Sequence, residues 1–120
     1  MKVTGFLHVA VLISDLERAM AFYGGILGLE AIERQLKFPG AWYRIGPQQL
    51  HLMVGDGEAR KNCAEKWGRN PHLALAVADL NIAKERLVTH GYSVQMSASG
   101  RQALFVQDPD GNVIELSEAP

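Results

Sequence analysis

The sequence has little cysteine and no long apolar run, and each absence excludes a class of protein. Among its 120 residues Cys63 is the only cysteine, so no disulfide can form within the chain, which favours a reducing cytoplasm. No apolar run approaches the ~20 residues that a membrane-spanning helix needs. Charged and polar residues interrupt the N-terminus too early for a signal peptide. We therefore expect a cytoplasmic protein with no membrane partner.

An excess of charge of one sign is also lacking. The chain has 12 basic and 13 acidic residues, which gives a net charge of -1. Proteins that bind nucleic acid through its phosphates carry a basic surface. We therefore expect no nucleic-acid partner and a small molecule as the ligand. The length fits a single domain over residues 1–120, or two small units that share a core.

The chain repeats itself at an offset of 64 residues. The segment HVAVLISDLERAM, which starts at His8, matches HLALAVADLNIAK, which starts at His72. The same offset places Leu50-His51-Leu52 over Ile114-Glu115-Leu116. Self-similarity at a fixed spacing indicates a repeated structural unit. Each half therefore has a residue that can bind metal on its first strand and another on its last strand.

Both halves predict the element order β-α-β-β-β. In the first half Ser14-Asp15 is the predicted helix cap, and Glu17 completes a capping-box pattern with Ser14. In the second half Asp79 is the cap and Gly91 the stop. The modules are predicted at about 1–54 and 71–120, with the polar segment 55–70 as linker. The remaining strands are predicted at 29–37, 42–46 and 49–54, and at 92–97, 103–107 and 112–117.

Strand parity predicts that four polar residues lie on one type of face. Because side chains on a strand alternate between its faces, the aliphatic neighbours of each polar residue fall on the opposite face, as Leu50 and Leu52 do around His51. The aliphatic face should pack on the helices. The other face has small neighbours such as Ala10 and Ala74, which leave room for a pocket. Its polar residues are His8, His51, His72 and Glu115.

These four residues predict a metal site. If two such sheets curve around one space, three imidazoles and a carboxylate suit a divalent ion, either Ni, Co, Zn, Mn or Fe. An octahedral ion with four protein ligands keeps two positions open for water or substrate. A single histidine on a half-buried strand is more often a hydrogen-bonded core residue. We interpret His90 as structural, at a helix C-terminus, and Cys63 as an inert thiol. We interpret Arg101 in SASGRQ as an ordinary solvated arginine, with contact to an anionic substrate as the alternative.

Three segments carry a family resemblance that covers nearly the whole chain: HVAVLISDLERAMAFYGGILGLE, PHLALAVADL and FVQDPDGNVIEL. They resemble the vicinal oxygen chelate superfamily, which includes glyoxalase I, extradiol dioxygenases, and fosfomycin- and bleomycin-resistance proteins. The resemblance implies an α+β fold in which paired βαβββ modules form a curved mixed sheet around a divalent metal. It also implies that substrates bind through adjacent oxygens and that the protein is a homodimer.

The resemblance implies two alternative metal-ligand sets. In glyoxalase-like members the set matches His8, His51, His72 and Glu115. In dioxygenase-like and fosfomycin-type members it matches His8, His72 and Glu115, and His51 is a free acid/base. The bacterial glyoxalase pattern has glutamate in place of His51, which argues against methylglyoxal detoxification. Ala10 argues against the thiol-dependent fosfomycin enzymes.

From this resemblance we expect a glyoxalase-like, metal-dependent lyase or isomerase. His51 and Glu115 are its predicted catalytic residues. An Fe(II) extradiol-type dioxygenase and a resistance protein that sequesters a small molecule remain as alternatives.

Overall fold

The structure is a computed structural model that describes residues 1–34, 37–55 and 64–118. The chain forms two compact units, Met1–Glu58 and Ala59–Pro120. The first contains strands β1 to β4, helix α1 and a π-helical segment that continues α1: β1 His8–Ile13, α1 Leu16–Met20, π segment Ala21–Ile26, β2 Glu30–Ile32, β3 Gly40–Ile45 and β4 Gln48–Val54. The second contains a 3₁₀ turn, strands β5 to β8 and helix α2: 3₁₀ turn Trp67–Arg69, β5 His72–Val77, α2 Leu80–Thr89, β6 Val94–Met96, β7 Ala103–Gln107 and β8 Val113–Glu118.

Each unit has one four-stranded sheet, and the two sheets have the same topology. The strand orders are β1-β4-β3-β2 and β5-β8-β7-β6. In both, the first strand pairs in parallel with the last, while the other pairs are antiparallel. Equivalent registers place Ala10 opposite His51 and Ala74 opposite Glu115. The predicted α+β fold of tandem βαβββ modules is therefore confirmed.

Helix α1 begins one residue later than its capping-box pattern predicts. Asp15 is the N-cap, and its carboxylate accepts a hydrogen bond from the backbone N–H of Arg18 at 3.0 Å. The capping box of Ser14 and Glu17 is therefore wrong, because Arg18 occupies the third helical position. The helix then widens into the π segment, which takes in one extra residue, and Gly28 follows its end with a φ of 74°.

Helix α2 begins and ends as predicted. The Asp79 carboxylate accepts from the backbone N–H of Ile82 at 3.1 Å, and Gly91 follows the helix with a φ of 85°. A non-glycine residue would be strained at that φ. His90 Nδ1 lies 2.7 Å from the carbonyl oxygen of Arg86, so the imidazole satisfies a carbonyl of the last turn. This contact agrees with the structural role predicted for His90.

Strands β2 and β6 are shorter than predicted, since they cover Glu30–Ile32 and Val94–Met96 rather than 29–37 and 92–97. Residues 35–36 of the first predicted strand lie outside the described residues, as do 56–63 of the predicted linker, which include Cys63. In the part of the chain that the structure describes, no helix is long and apolar enough to cross a membrane.

The core of each unit lies on the aliphatic face of its sheet, as strand parity predicts. Leu50 and Leu52 are 0% and 1% exposed, and Ile114 and Leu116 are 0% and 3% exposed. Helix α1 contacts β3 and β4, and α2 contacts β6, β7 and β8. The opposite face leaves Ala10, Ala74 and Ala76 exposed. Each helix therefore covers one face of its sheet and leaves the polar residues on the other.

Candidate functional site

In the second unit, His72 and Glu115 form a close pair on the neighbouring strands β5 and β8. The distance from His72 Nε2 to Glu115 Oε1 is 3.3 Å. Two ligands that each lie about 2.1 Å from one ion, at angles of roughly 90–110°, are about 3.0–3.4 Å apart. The spacing of this pair therefore fits two ligands of the same divalent metal.

The orientation of His72 is fixed by its surroundings. Its Nδ1 donates to the carbonyl oxygen of Asn70 at 2.7 Å, which leaves the lone pair on Nε2, the atom that faces Glu115. The Asn70 side chain is itself held by Ala64 and Trp67, through contacts of 3.2–3.4 Å to their backbone. The Phe105 ring meets the imidazole edge to face at 5.5 Å. This support is typical of a histidine that binds metal.

Glu115 is buried but charged. Its Oε2 accepts a hydrogen bond from the Ser117 hydroxyl and lies 3.6 Å from Arg101 Nη1. Burial raises the pKa of Glu115, but the Ser117 hydrogen bond, the positive charge of Arg101 and the contact with His72 outweigh it. The pKa of Glu115 is therefore lowered from its ordinary value. The carboxylate form, which metal binding requires, is favoured.

Arg101 is 58% exposed, as expected of a solvated arginine, but it also contacts Glu115. In the β7–β8 register Phe105 lies opposite Glu115 and Ala103 lies opposite Ser117. Continuing this alternation by two residues places Arg101 on the face of Glu115, where it forms the ion pair. Once β8 is known to pair with β7, counting every second residue back from Phe105 along the sequence leads to Arg101.

In the first unit, three rings stack across strands β1, β4 and β3. The His51 ring lies between His8, at 4.2 Å and 18°, and Trp42, at 4.1 Å and 7°. His51 Nε2 donates to Gln49 Oε1 at 2.8 Å, which leaves the lone pair on Nδ1. Burial comes first among the causes that lower the pKa of His51, followed by its electrostatic interactions with His8 and Arg34. The buried imidazole is therefore held in its neutral form.

The two pairs differ in what they can do. Stacked rings keep their in-plane lone pairs in nearly parallel planes, so those of His8 and His51 do not converge on one point. The 3.3 Å spacing of His72 and Glu115, in contrast, fits two ligands of one ion. Among residues 1–34, 37–55 and 64–118, no group of three or more His, Cys, Asp or Glu side chains is placed to hold one ion. The structure thus brings the four predicted residues together as two pairs, and a single four-ligand metal site stays a prediction.

Comparisons with known proteins give one consistent family. The family model of the Glyoxalase/Bleomycin resistance protein/Dioxygenase superfamily matches residues 5–116. A lactoylglutathione lyase of Salmonella typhimurium is 31% identical over 126 residues, which cover 94% of this chain and 91% of the relative.

Solved structures give the same result. A glyoxalase family protein from Bacillus anthracis is 29% identical with a TM-score of 0.79, and the match covers 100% of this chain and 98% of that one. The fosfomycin resistance protein FosX from Listeria monocytogenes shares the fold, with a TM-score of 0.78 at 17% identity and coverage of 99% and 94%. The family match over almost the whole chain, together with the tandem βαβββ units, shows that this protein belongs to the Glyoxalase/Bleomycin resistance protein/Dioxygenase superfamily and is glyoxalase-like.

Proposed function

We propose that this protein is a divalent-metal-dependent enzyme of the glyoxalase type, a lyase or isomerase. Its substrate is a small molecule that chelates the metal through adjacent oxygens. The observation that carries the proposal is the His72–Glu115 pair, with its 3.3 Å spacing and its supporting hydrogen bonds. The 31% identity to a lactoylglutathione lyase supports the reaction class.

His72, Glu115 and His8 are the proposed metal ligands, with His51 as a fourth ligand or a free acid/base. Imidazole nitrogens with a carboxylate oxygen suit Ni, Co, Zn, Mn or Fe. The bound ion would polarise a substrate carbonyl and stabilise the negative charge that develops on it. Because its pKa is lowered, the Glu115 carboxylate is a weak base, which favours a role as metal ligand rather than as proton acceptor.

Three features support a proton-transfer role for His51. Its lowered pKa keeps the imidazole neutral near pH 7, and the hydrogen bond to Gln49 leaves Nδ1 able to accept a proton. The stack between His8 and Trp42 fixes the plane of the ring. A neutral, oriented imidazole can remove the proton from a hydroxyl-bearing carbon next to a carbonyl and return it to the former carbonyl carbon. With transfer of the hydroxyl proton to the other oxygen, this is the net change in an isomerisation.

Calorimetric titration of the tag-free protein with Co²⁺ or Ni²⁺ tests the metal site. We expect His72→Ala and Glu115→Ala each to weaken binding by at least about 10-fold while the protein remains folded. Matched controls are His90→Ala and Glu85→Ala, which change the same residue types on exposed parts of α2 and its C-terminus. Metal affinity that is unchanged in both site variants would exclude this pair as ligands.

The role of His51 is tested by comparing His51→Ala with His8→Ala at one pH, because protons compete with metal for both imidazoles. If His51 is a ligand, both variants lose metal to a similar degree. If it is an acid/base, His51→Ala keeps the metal and lowers turnover by about 10²–10⁴-fold. Turnover is measured first as lactoylglutathione formation from methylglyoxal and glutathione.

The native metal separates the alternatives. Iron in the purified protein together with substrate-dependent oxygen uptake would favour an extradiol-type dioxygenase. Ni, Co or Zn without oxygen uptake would favour the lyase or isomerase. A protein with no affinity for divalent metal would favour a role in sequestering a small molecule.

A further inference from the structure

A cavity of about 500 Å³ lies in the second unit, between the 3₁₀ turn and the ends of β6 and β7. Cavities of roughly 300–1,000 Å³ are typical of sites for small molecules. Phe105 forms part of the wall, and the same ring contacts His72 and lies opposite Glu115 on the sheet. The cavity therefore adjoins the proposed metal ligands of this unit.

The lining of the cavity carries an excess of positive charge. Lys66, Arg69 and Arg101 line it, against the single carboxylate of Glu65. Arg101 donates from Nε to the Ser99 hydroxyl at 3.2 Å and places Nη1 3.6 Å from Glu115. A guanidinium has five N–H donors, so these two contacts leave others for a ligand. The lining thus favours an anionic group at Arg101 and an apolar body against Phe105.

The wall that carries two of these cations is held in place. The Gln95 side chain accepts from the backbone N–H of Trp67 at 2.7 Å and donates to the carbonyl oxygen of Glu65 at 3.1 Å. Gly68 packs so closely on Phe105 that a Cβ atom there would lie 2.6 Å from the ring. The 3₁₀ turn is therefore anchored over the sheet, and the cavity is preformed.

We propose that this cavity binds the anionic group of the substrate, with Arg101 as its anchor. The substrate class is then a small organic acid in which a carboxylate, phosphate or phosphonate lies near the two oxygens that chelate the metal. This assignment rests on the proposed function. It follows from charge balance: a metal ion on Glu115 would neutralise the carboxylate that now faces Arg101, and the guanidinium would then pair with the ligand.

A matched pair of probes tests the assignment. Both 3,4-dihydroxybenzoate and 3,4-dihydroxybenzamide carry two adjacent oxygens on one aromatic ring, and they differ in the charge of the third substituent. We expect the wild-type protein, loaded with Co²⁺, to bind the benzoate about 10–100-fold more tightly in calorimetry, as for a hydrogen bond to a charged group. Arg101→Gln should bind the benzoate only as tightly as it binds the benzamide. Arg101→Lys should keep part of the preference for the benzoate.

The controls separate this inference from the function on which it rests. Arg44→Gln removes an arginine of the first unit and should keep the preference. Arg101→Gln should keep its circular dichroism spectrum, and each protein is titrated with the probes at a Co²⁺ concentration that saturates it. Equal affinity of the two probes for the wild type, or a preference that survives in Arg101→Gln, overturns the assignment.

Failure of the metal proposal appears separately, as a flat metal titration. The affinities of the benzoate and the benzamide for the metal-free protein, measured by chemical-shift titration, then test the cavity alone. Equal affinity of the two probes, or a preference for the benzoate that survives in Arg101→Gln, again overturns the assignment. A third probe, 3,4-dihydroxyphenylphosphonate, shows by its affinity relative to the benzoate which kind of anion the cavity prefers.

Discussion

Asp108 holds the turn between β7 and β8, and its removal should cost more stability than the loss of any exposed helix cap. The side chain is 4% exposed. Its Oδ1 accepts from the backbone N–H groups of Asp110, at 2.9 Å, and Asn112, at 2.8 Å. Its Oδ2 accepts from the Asn112 side chain at 2.8 Å. One carboxylate therefore satisfies three donors in the turn that leads into the strand of Glu115.

The magnitude follows from these three bonds. Leaving a buried donor without a partner costs about 1–3 kcal/mol. In Asp108→Ala the two buried backbone donors lose their acceptor, so we expect a loss of about 2–6 kcal/mol. Asp108→Asn keeps an oxygen for both backbone donors and should lose less, about 1 kcal/mol.

Urea unfolding followed by circular dichroism measures the loss as a change in midpoint at constant slope. The matched control is Asp15→Ala, which removes the same side chain from one exposed cap bond of 3.0 Å. Loss of such a cap costs about 0.5–2 kcal/mol. If Asp108→Ala is no less stable than Asp15→Ala, the three bonds of the turn do not stabilise the fold as we argue.

Three further predictions concern pH, packing and assembly. Because the folded-state pKa of His51 is lowered, the native state binds fewer protons than the unfolded state, and stability should fall as the pH drops below the unfolded pKa of about 6.5. In urea unfolding between pH 7.5 and 5, the His51→Phe variant should lose less stability than the wild type. An equal loss of stability in both proteins would contradict this prediction. Gly68→Ala should destabilise the protein by about 1–3 kcal/mol because its Cβ would meet Phe105 at 2.6 Å. Gly25→Ala should not destabilise it, since no atom lies within 4 Å of a Cβ at that position. Equal thermal midpoints for the two variants would refute the packing argument. The protein should sediment as a homodimer at about 10 μM, since a dimer with a Kd below about 1 μM dominates there, and a lone 13.2 kDa species would exclude it.

The fold was predictable from the sequence because its signals are local. Alternation along a strand and the caps at Asp79 and Gly91 depend on neighbours in the chain, so they predicted the strands, the second helix and the face that carries each polar residue. The ring stack was not predictable in the same way. It depends on the lateral register that sets Trp42 opposite His51, and no local pattern specifies that register.

The candidate site shows the same division. Equivalent positions in the repeat identified His72 and Glu115, and their pairing follows from the parallel register of β5 and β8. The contact of Arg101 with Glu115 also needs the β7–β8 pairing, so composition and spacing alone suggested an ordinary surface arginine. The one-residue error at the start of α1 arose because Ser14 and Asp15 are both good caps, and the structure uses the second.

The π segment has a consequence for exchanging the two halves of the chain. Five residues of α1 and six of the π segment stand where α2 has ten, yet β2 and β6 begin at the same offset in the repeat, at Glu30 and Val94. The connection after the first helix is therefore one residue shorter, and this compensates for the wider turn. A chimera in which only the helical residues of one half replace those of the other would be one residue too long or too short before the next strand. The register of that strand would shift by one residue, and its side chains would point to the wrong face of the sheet. Viable recombination between the halves must therefore join them strand to strand, with each helix and its connection inherited together.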